Sequence, residues 1–144
     1  MSRTALDPHE LVVCTGHGEI VWATVFGKMC DGTVLVASGG ADGTARIWDP
    51  ATGELRHTVT KHTAWVRTVA FTVLPDGSTL LATTSDDRTT RLWSVDTMTE
   101  VATIEHAASV HGAAFGTLDD GRQVLAIGCA DTHAYVWDLG LPST

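Results

Sequence analysis

The sequence predicts an all-β protein built from three copies of one antiparallel sheet, and three observations support this fold class. First, the segment DGTARIWD from Asp42 recurs as DRTTRLWS from Asp87 and as DTHAYVWD from Asp131. Second, each Asp lies six residues before a Trp, and a His lies 31 residues before the same Trp. Third, the apolar runs are short, closely spaced and bounded by Gly or Asp turn residues. The spacing of 45 and then 44 residues indicates a repeat architecture.

Composition limits the classes of function. At 144 residues the chain has the size of one domain, and 44% apolar residues argue against disorder. No apolar run is long enough to cross a membrane, and we expect no targeting segment in MSRTALDPHE. The net charge of −8, with only two lysines, argues against binding to nucleic acid or to anionic lipid. Cys14, Cys30 and Cys129 occupy unrelated repeat positions, which predicts free thiols and a cytoplasmic location.

The candidate strands follow in the same order in each copy. A leading β-rich run covers residues 10–15. The first copy has candidate strands at 21–26, 33–38, 45–49 and 54–60. The second has them at 65–72, 79–84, 90–94 and 100–105. The third has three, at 110–115, 123–128 and 134–138. Because nothing resembles an amphipathic helix, the pattern predicts antiparallel meanders.

The Gly16-His17 dipeptide, the Asp turn and the Trp-Asp ending, repeated in register over about residues 10–139, resemble the WD-repeat β-propeller family. The resemblance implies four antiparallel strands per blade, with the first strand of the chain completing the last blade. We therefore expect one unit over residues 1–144, with its segments in this order: a closing strand at 10–16, blade 1 at 17–61, blade 2 at 62–105 and blade 3 at 106–139.

The family's blade-stabilising network links a His, a Ser or Thr, the turn Asp and the strand Trp. The matching positions are His17, Ser38, Asp42 and Trp48, then His62, Thr83, Asp87 and Trp93, then His106, Asp131 and Trp137. A buried Asp needs donors, and imidazole, hydroxyl and indole groups provide them. In the third copy Ile127 stands where the hydroxyl should be, so we expect blade 3 to be tied least well. Arg88 and Thr132 follow the turn Asp where the family usually has Gly, which predicts strained turns.

No residue set supports catalysis or a cofactor. A Ser-His-Asp hydrolase triad would need an oxyanion hole in a cleft, and the constellation here repeats at blade spacing together with a Trp. Val36 also occupies the first Gly position of a Gly-x-Ser-x-Gly motif. The histidines of the three copies are spread one per blade and cannot meet at one ion, and no Cys pair accompanies them. We therefore predict neither a catalytic residue nor a metal site.

Three blades leave two apolar sheet faces with nothing against them, whereas propellers typically have about four to eight blades. We expect the protein to close by self-association. Residues 10–15 of each copy would pair with residues 134–138 of its neighbour. A homodimer would complete a six-bladed ring and is favoured, and a trimer would give nine blades. The alternative is that the chain is a fragment of a longer single-chain propeller.

The predicted function is a non-catalytic scaffold for protein–protein interaction. Partners of this family commonly dock on the loop face, beside the innermost strands. The matching positions that we expect to bind an unidentified protein are Ile20, Trp22, Trp65, Arg67, Asp86 and His111. Trp and Arg dominate interface hot spots, which favours Trp22, Trp65 and Arg67. The competing interpretation of both tryptophans is packing at the blade rim. A small-ligand or enzymatic site in the central channel is the alternative function, although the innermost strands offer few carboxylates.

Overall fold

The computed structural model describes residues 5–141, which contain eleven β-strands in three antiparallel sheets. Blade 1 consists of β1 (Val21–Lys28), β2 (Val34–Gly40), β3 (Ala45–Trp48) and β4 (Leu55–Val59). Blade 2 consists of β5 (Val66–Val73), β6 (Thr79–Ser85), β7 (Thr89–Ser94) and β8 (Thr99–Glu105). Blade 3 consists of β9 (Val110–Thr117), β10 (Gln123–Cys129) and β11 (Ala134–Asp138). The all-β fold class is confirmed, and each of these strands lies within two residues of its predicted bounds.

Each blade is a meander in which strands that follow one another in the sequence pair side by side. Tight turns between the strands allow this pairing. The turn from β2 to β3 contains Gly43 with φ of 79°, a backbone conformation that glycine adopts without penalty. Arg88 and Thr132 occupy the same turn of blades 2 and 3, with φ of 70° and 76°. A side chain in this left-handed region costs about 1 kcal/mol or more, so these two turns are strained.

Two apolar cores join the blades side by side, and both form between sheet faces. Between blades 1 and 2 the buried residues are Leu35, Ala37, Ala45, Ile47, Val59, Val66, Val69, Leu81, Trp93 and Val95. Between blades 2 and 3 they are Ala70, Ala82, Leu92, Val110, Leu125 and Ile127. The innermost strands β1, β5 and β9 lie next to one another in that order. Blade 2 is therefore covered on both faces, whereas blades 1 and 3 are each covered on one.

The predicted closing strand is not formed within this single chain. Residues 10–15 have no strand assignment, and Leu11 and Val13 are 77% and 60% exposed. The segment passes the turn of blade 1 at Gly53, where a Cβ would lie 3.1 Å from the carbonyl oxygen of Val13. A strand requires a partner edge, and the edge predicted for this segment is the outer edge of β11 in a neighbouring copy.

Candidate functional site

The His17 network of blade 1 is a continuous chain of hydrogen bonds. Trp48 Nε1 donates to the Ser38 hydroxyl over 2.8 Å, and that hydroxyl lies 2.7 Å from His17 Nε2. His17 Nδ1 lies 3.0 Å from the Asp42 carboxylate. One assignment satisfies every group: Nδ1–H donates to the carboxylate, and Nε2 accepts from the hydroxyl. The network thereby ties the lead-in segment at residue 17 to two strands, β2 and β3, and to the turn between them.

Blade 2 repeats this arrangement in a more buried setting. His62 Nδ1 lies 2.9 Å from the Asp87 carboxylate, and Nε2 lies 2.7 Å from the Thr83 hydroxyl. Trp93 Nε1 donates to the same hydroxyl over 3.0 Å. The His62 side chain is completely buried, and that of Asp87 is 8% exposed. Because the pair is shielded from water, its hydrogen bonds cannot be replaced by solvent when one partner is removed.

Blade 3 holds its histidine differently. His106 Nε2 bonds to the Thr90 hydroxyl of blade 2 over 3.0 Å, and no hydrogen bond joins it to Asp131 within residues 5–141. Asp131 instead accepts hydrogen bonds from the Tyr135 hydroxyl and the His133 backbone. Trp137 is 38% exposed, whereas Trp48 of blade 1 is 1% exposed. Tyr135 was not predicted to take part; its signal in the sequence is a Tyr where the other copies have Arg46 and Arg91.

Burial and hydrogen bonding shift the pKa values of these groups. Burial lowers the pKa of His62, and it also lowers the pKa of His106. For Asp87, burial acts to raise the pKa, but hydrogen bonds from Thr89 and His62 outweigh it and hold the pKa below the usual value. For Asp42, burial likewise acts to raise the pKa and is outweighed, here by hydrogen bonds led by those from Thr44. In blade 2, the folded state therefore favours a neutral His62 beside an ionised Asp87.

Stability should fall as the pH drops below about 6.5, the ordinary pKa of histidine. Because His62 and His106 have lowered pKa values in the folded chain, the unfolded chain binds more protons in this range. The loss continues until the pH passes the folded-state values. Urea unfolding at pH 7.5 and pH 5.5 measures it, and His106→Gln should remove part of the decline. A midpoint that is unchanged or higher at pH 5.5 would contradict the expectation.

The predicted docking residues lie together at one end of the blades. The rings of Trp22 and Trp65 have centroids 4.8 Å apart, across the boundary of blades 1 and 2. The Arg67 guanidinium carbon lies 4.7 Å from the centre of the Trp65 ring and 5.2 Å from that of Trp22. Both Asp86 oxygens accept hydrogen bonds from Arg67, over 2.9 and 3.1 Å. His111 Nε2 of blade 3 lies 3.7 Å from Asp86.

We call this set the tryptophan surface, and it consists of Ile20, Trp22, Trp65, Arg67, Asp86 and His111. Ile20 is 61% exposed and borders one shallow depression with Trp65. Trp22 and Trp65 are 39% and 38% exposed. The stacking of Arg67 on both rings was not predicted, because it depends on the side-by-side placement of β1 and β5.

A backbone hydrogen bond repeated in every blade places these residues. The turn after the second strand donates to the loop before the innermost strand: Ala41 N to Ile20 O, Asp86 N to Trp65 O and Ala130 N to Ser109 O. Each bond holds a loop residue against a turn residue at the same end of its blade. A further hydrogen bond links blades 2 and 3 near this end: the Thr68 hydroxyl donates to the His111 carbonyl over 2.8 Å.

The repeated sheets and their His–Asp–Trp networks define a protein built of β-propeller blades. The family model described as "WD domain, G-beta repeat" matches residues 9–49 and 53–94, and the chain belongs to this family. It is 45% identical over 60 residues to the nuclear distribution protein PAC1-2 of Uncinocarpus reesii (strain UAMH 1704). That stretch covers 38% of this chain and 13% of the relative's length.

The chemistry that the described residues can support is limited. Within residues 5–141, no group of three or more His, Cys, Asp or Glu side chains is arranged to hold a metal ion. In the same range, no helix is long and apolar enough to span a membrane. Cys14, Cys30 and Cys129 are free thiols. Within the same residues, the tryptophan surface brings two partly exposed indole rings together with an arginine and an aspartate.

Proposed function

We propose that this protein is a non-catalytic scaffold that binds a protein partner on the tryptophan surface and assembles as an oligomeric propeller. WD repeats generally mediate protein–protein interactions. One observation carries the proposal for this chain: Trp22, Trp65 and Arg67 form an exposed stack. These residue types supply most of the energy of protein interfaces.

The stack is prepared for binding because its most flexible member is already fixed. Arg67 lies over two indole rings and is held by the two hydrogen bonds that it donates to the Asp86 carboxylate. Ordering a long side chain on binding costs about 0.5–1.5 kcal/mol. Arg67 is already ordered in the folded chain, so binding would not incur this cost. The indole faces left open can receive an apolar or aromatic side chain of a partner, with Asp86 and Ile20 at the edge.

The nature of the partner follows from charge. With a net charge of −8, the chain would repel the phosphates of nucleic acid and anionic membranes. A protein partner, bound without a cofactor, fits the mixed apolar and polar character of the tryptophan surface. We place the protein in the cytoplasm, where three free thiols remain reduced.

Oligomeric assembly is supported by apolar residues on the two uncovered sheet faces. On blade 1 Phe26 is 72% exposed, and on blade 3 Val136 is 66% exposed. Such faces are unfavourable in water unless another blade covers them. A homodimer would form six blades and is the assembly that we favour over a nine-bladed trimer.

The Trp22→Ala/Trp65→Ala double variant tests the docking role. We expect at least about tenfold weaker binding of peptides selected from a phage-displayed library on the wild-type chain. Because both rings are more than a third exposed, the unfolding midpoint in urea should change little. Val101→Ala, a change at an exposed apolar residue of β8, is the control and should bind as the wild type does. Unfolding of the double variant, or unchanged binding by it, would refute the docking role.

A further inference from the structure

One phenylalanine recurs at the same position of every repeat, but only two of the three copies are covered. Phe26, Phe71 and Phe115 are separated by 45 and 44 residues, as the repeats are. Phe71 packs in the core between blades 1 and 2, and Phe115 packs in the core between blades 2 and 3. Phe26 is 72% exposed, because no blade lies against its face of blade 1. Within residues 5–141, therefore, nothing covers this copy of the interface phenylalanine.

The structure also shows what receives such a phenylalanine. The Phe71 ring lies directly over Gly27 of the preceding blade, and a Cβ added to Gly27 would fall 2.2 Å from it. Gly116 stands at the equivalent position of blade 3, 89 residues later. A Cβ added there would have only Val124 within 4 Å, at 3.8 Å. We call a glycine that can receive a phenylalanine ring in this way a glycine socket. Blade 3 has such a socket at Gly116, and no ring occupies it among the described residues.

The surroundings of the socket match as well. Against blade 2, blade 1 places Val25, Leu35, Ala37 and Ile47. The equivalent positions of blade 3, each 89 residues later, carry Ala114, Val124, Ala126 and Val136. Every one is apolar, and Val136 is 66% exposed. The outward face of blade 3 therefore has the chemistry that blade 1 uses against a neighbouring blade.

The outer edge of β11 offers a second place at which another copy could bind. Residues 10–14 stand 45 residues before β4 and carry three consecutive apolar residues, Leu11 to Val13. On blade 3, β11 pairs only with β10 among the described strands, so its outer edge is unpaired. Between blade 2 and the segment that follows β11, a cavity of about 370 Å³ is lined mainly by apolar residues, including Leu80, Leu92, Leu139 and Leu141. An added strand would satisfy the edge and fill this cavity.

We propose that a second copy of this chain seats its blade 1 on blade 3 of the first, with Phe26 over Gly116 and residues 10–14 along β11. The inference rests on the oligomeric part of the proposed function and specifies its contact. It extends an interface that the chain already builds twice, between blades 1 and 2 and between blades 2 and 3. In a two-chain ring the contact occurs twice, which closes the assembly.

Sedimentation equilibrium of the 144-residue chain at about 20 µM provides the first test. The wild type should have a mass near twice 15.2 kDa. Phe26→Ser should raise the dissociation constant at least about 100-fold, because each dimer loses the contact twice. Val73→Ser is the matched control: Val73 is 42% exposed, on the blade whose two faces are already covered. The control should remain dimeric.

Crosslinking tests which residues meet. In a background with the three native cysteines replaced by serine, a Phe26→Cys chain is mixed with a larger, tagged Gly116→Cys chain. A short bis-maleimide should join the two chains, and neither variant alone should crosslink. Dimerisation of Phe26→Ser with wild-type affinity, or absence of the mixed product in a dimeric sample, would overturn the proposed contact and leave the oligomeric scaffold intact. A monomeric wild type would overturn both.

Discussion

Replacing Asp87 by alanine should lower the free energy of unfolding by about 3 kcal/mol, because it leaves the buried His62 and the donors of Thr63 and Thr89 without their acceptor. The Asp87 carboxylate accepts hydrogen bonds from the hydroxyl and backbone N–H of Thr89, from the backbone N–H of Thr63 and from His62. His62 is fully buried, so water cannot replace the lost acceptor without opening the core. Urea unfolding followed by circular dichroism at pH 7.5 measures the loss.

Asp131→Ala is the matched control, since Asp131 occupies the same turn of blade 3. Its carboxylate serves Tyr135 and the His133 backbone, and its side chain is 21% exposed. Water can reach these donors, and we expect a loss of about 1 kcal/mol. Equal losses for the two variants would show that the buried histidine link contributes nothing beyond the turn itself.

Replacing Gly27 by valine should destabilise the chain by about 2–3 kcal/mol, because the added side chain would overlap the Phe71 ring. A Cβ at this position lies 2.2 Å from one ring carbon and 2.4 Å from another. Phe71 packs against a core that includes Val69, Leu81 and Trp93, so its ring can move only by disturbing the junction of blades 1 and 2. The urea midpoint of the variant measures the effect.

Gly116→Val provides the comparison at the equivalent position of blade 3. Its Cβ would meet Val124 only at ordinary contact distance, so the expected change in unfolding free energy is within about 1 kcal/mol. Both valine variants should be compared in the Phe26→Ser background, which removes the contribution of self-association. A loss at Gly116 as large as that at Gly27 would show that the clash with Phe71 is not the cause.

The strands could be predicted because their signals are local. Short apolar runs between turn residues, repeated every 44 or 45 residues, are sufficient to place each strand of the three blades. The closing strand at residues 10–15 had the same local signal but is not formed in the single chain. A strand forms only beside a partner edge, and the edge predicted for this segment belongs to a neighbouring copy.

The candidate site was predictable only in part. The resemblance to WD repeats implied that Trp22, Trp65 and Asp86 lie on the loop face of the blades. It could not show that the Arg67 guanidinium lies between two indole rings and Asp86, because that requires the side-by-side packing of β1 and β5. The sequence also could not show that His106 bonds to Thr90 of blade 2 instead of the expected Asp131.

The sequence by itself determined the number of blades, the order of their strands and the residues that repeat in register, since these depend on spacing along one chain. The tertiary structure decided which copy of each repeated residue is covered. Phe71 and Phe115 are packed and Phe26 is exposed, although the three are equivalent in sequence. The reason is physical: burial depends on the blade that lies opposite, and only the packed array determines which faces have a neighbour.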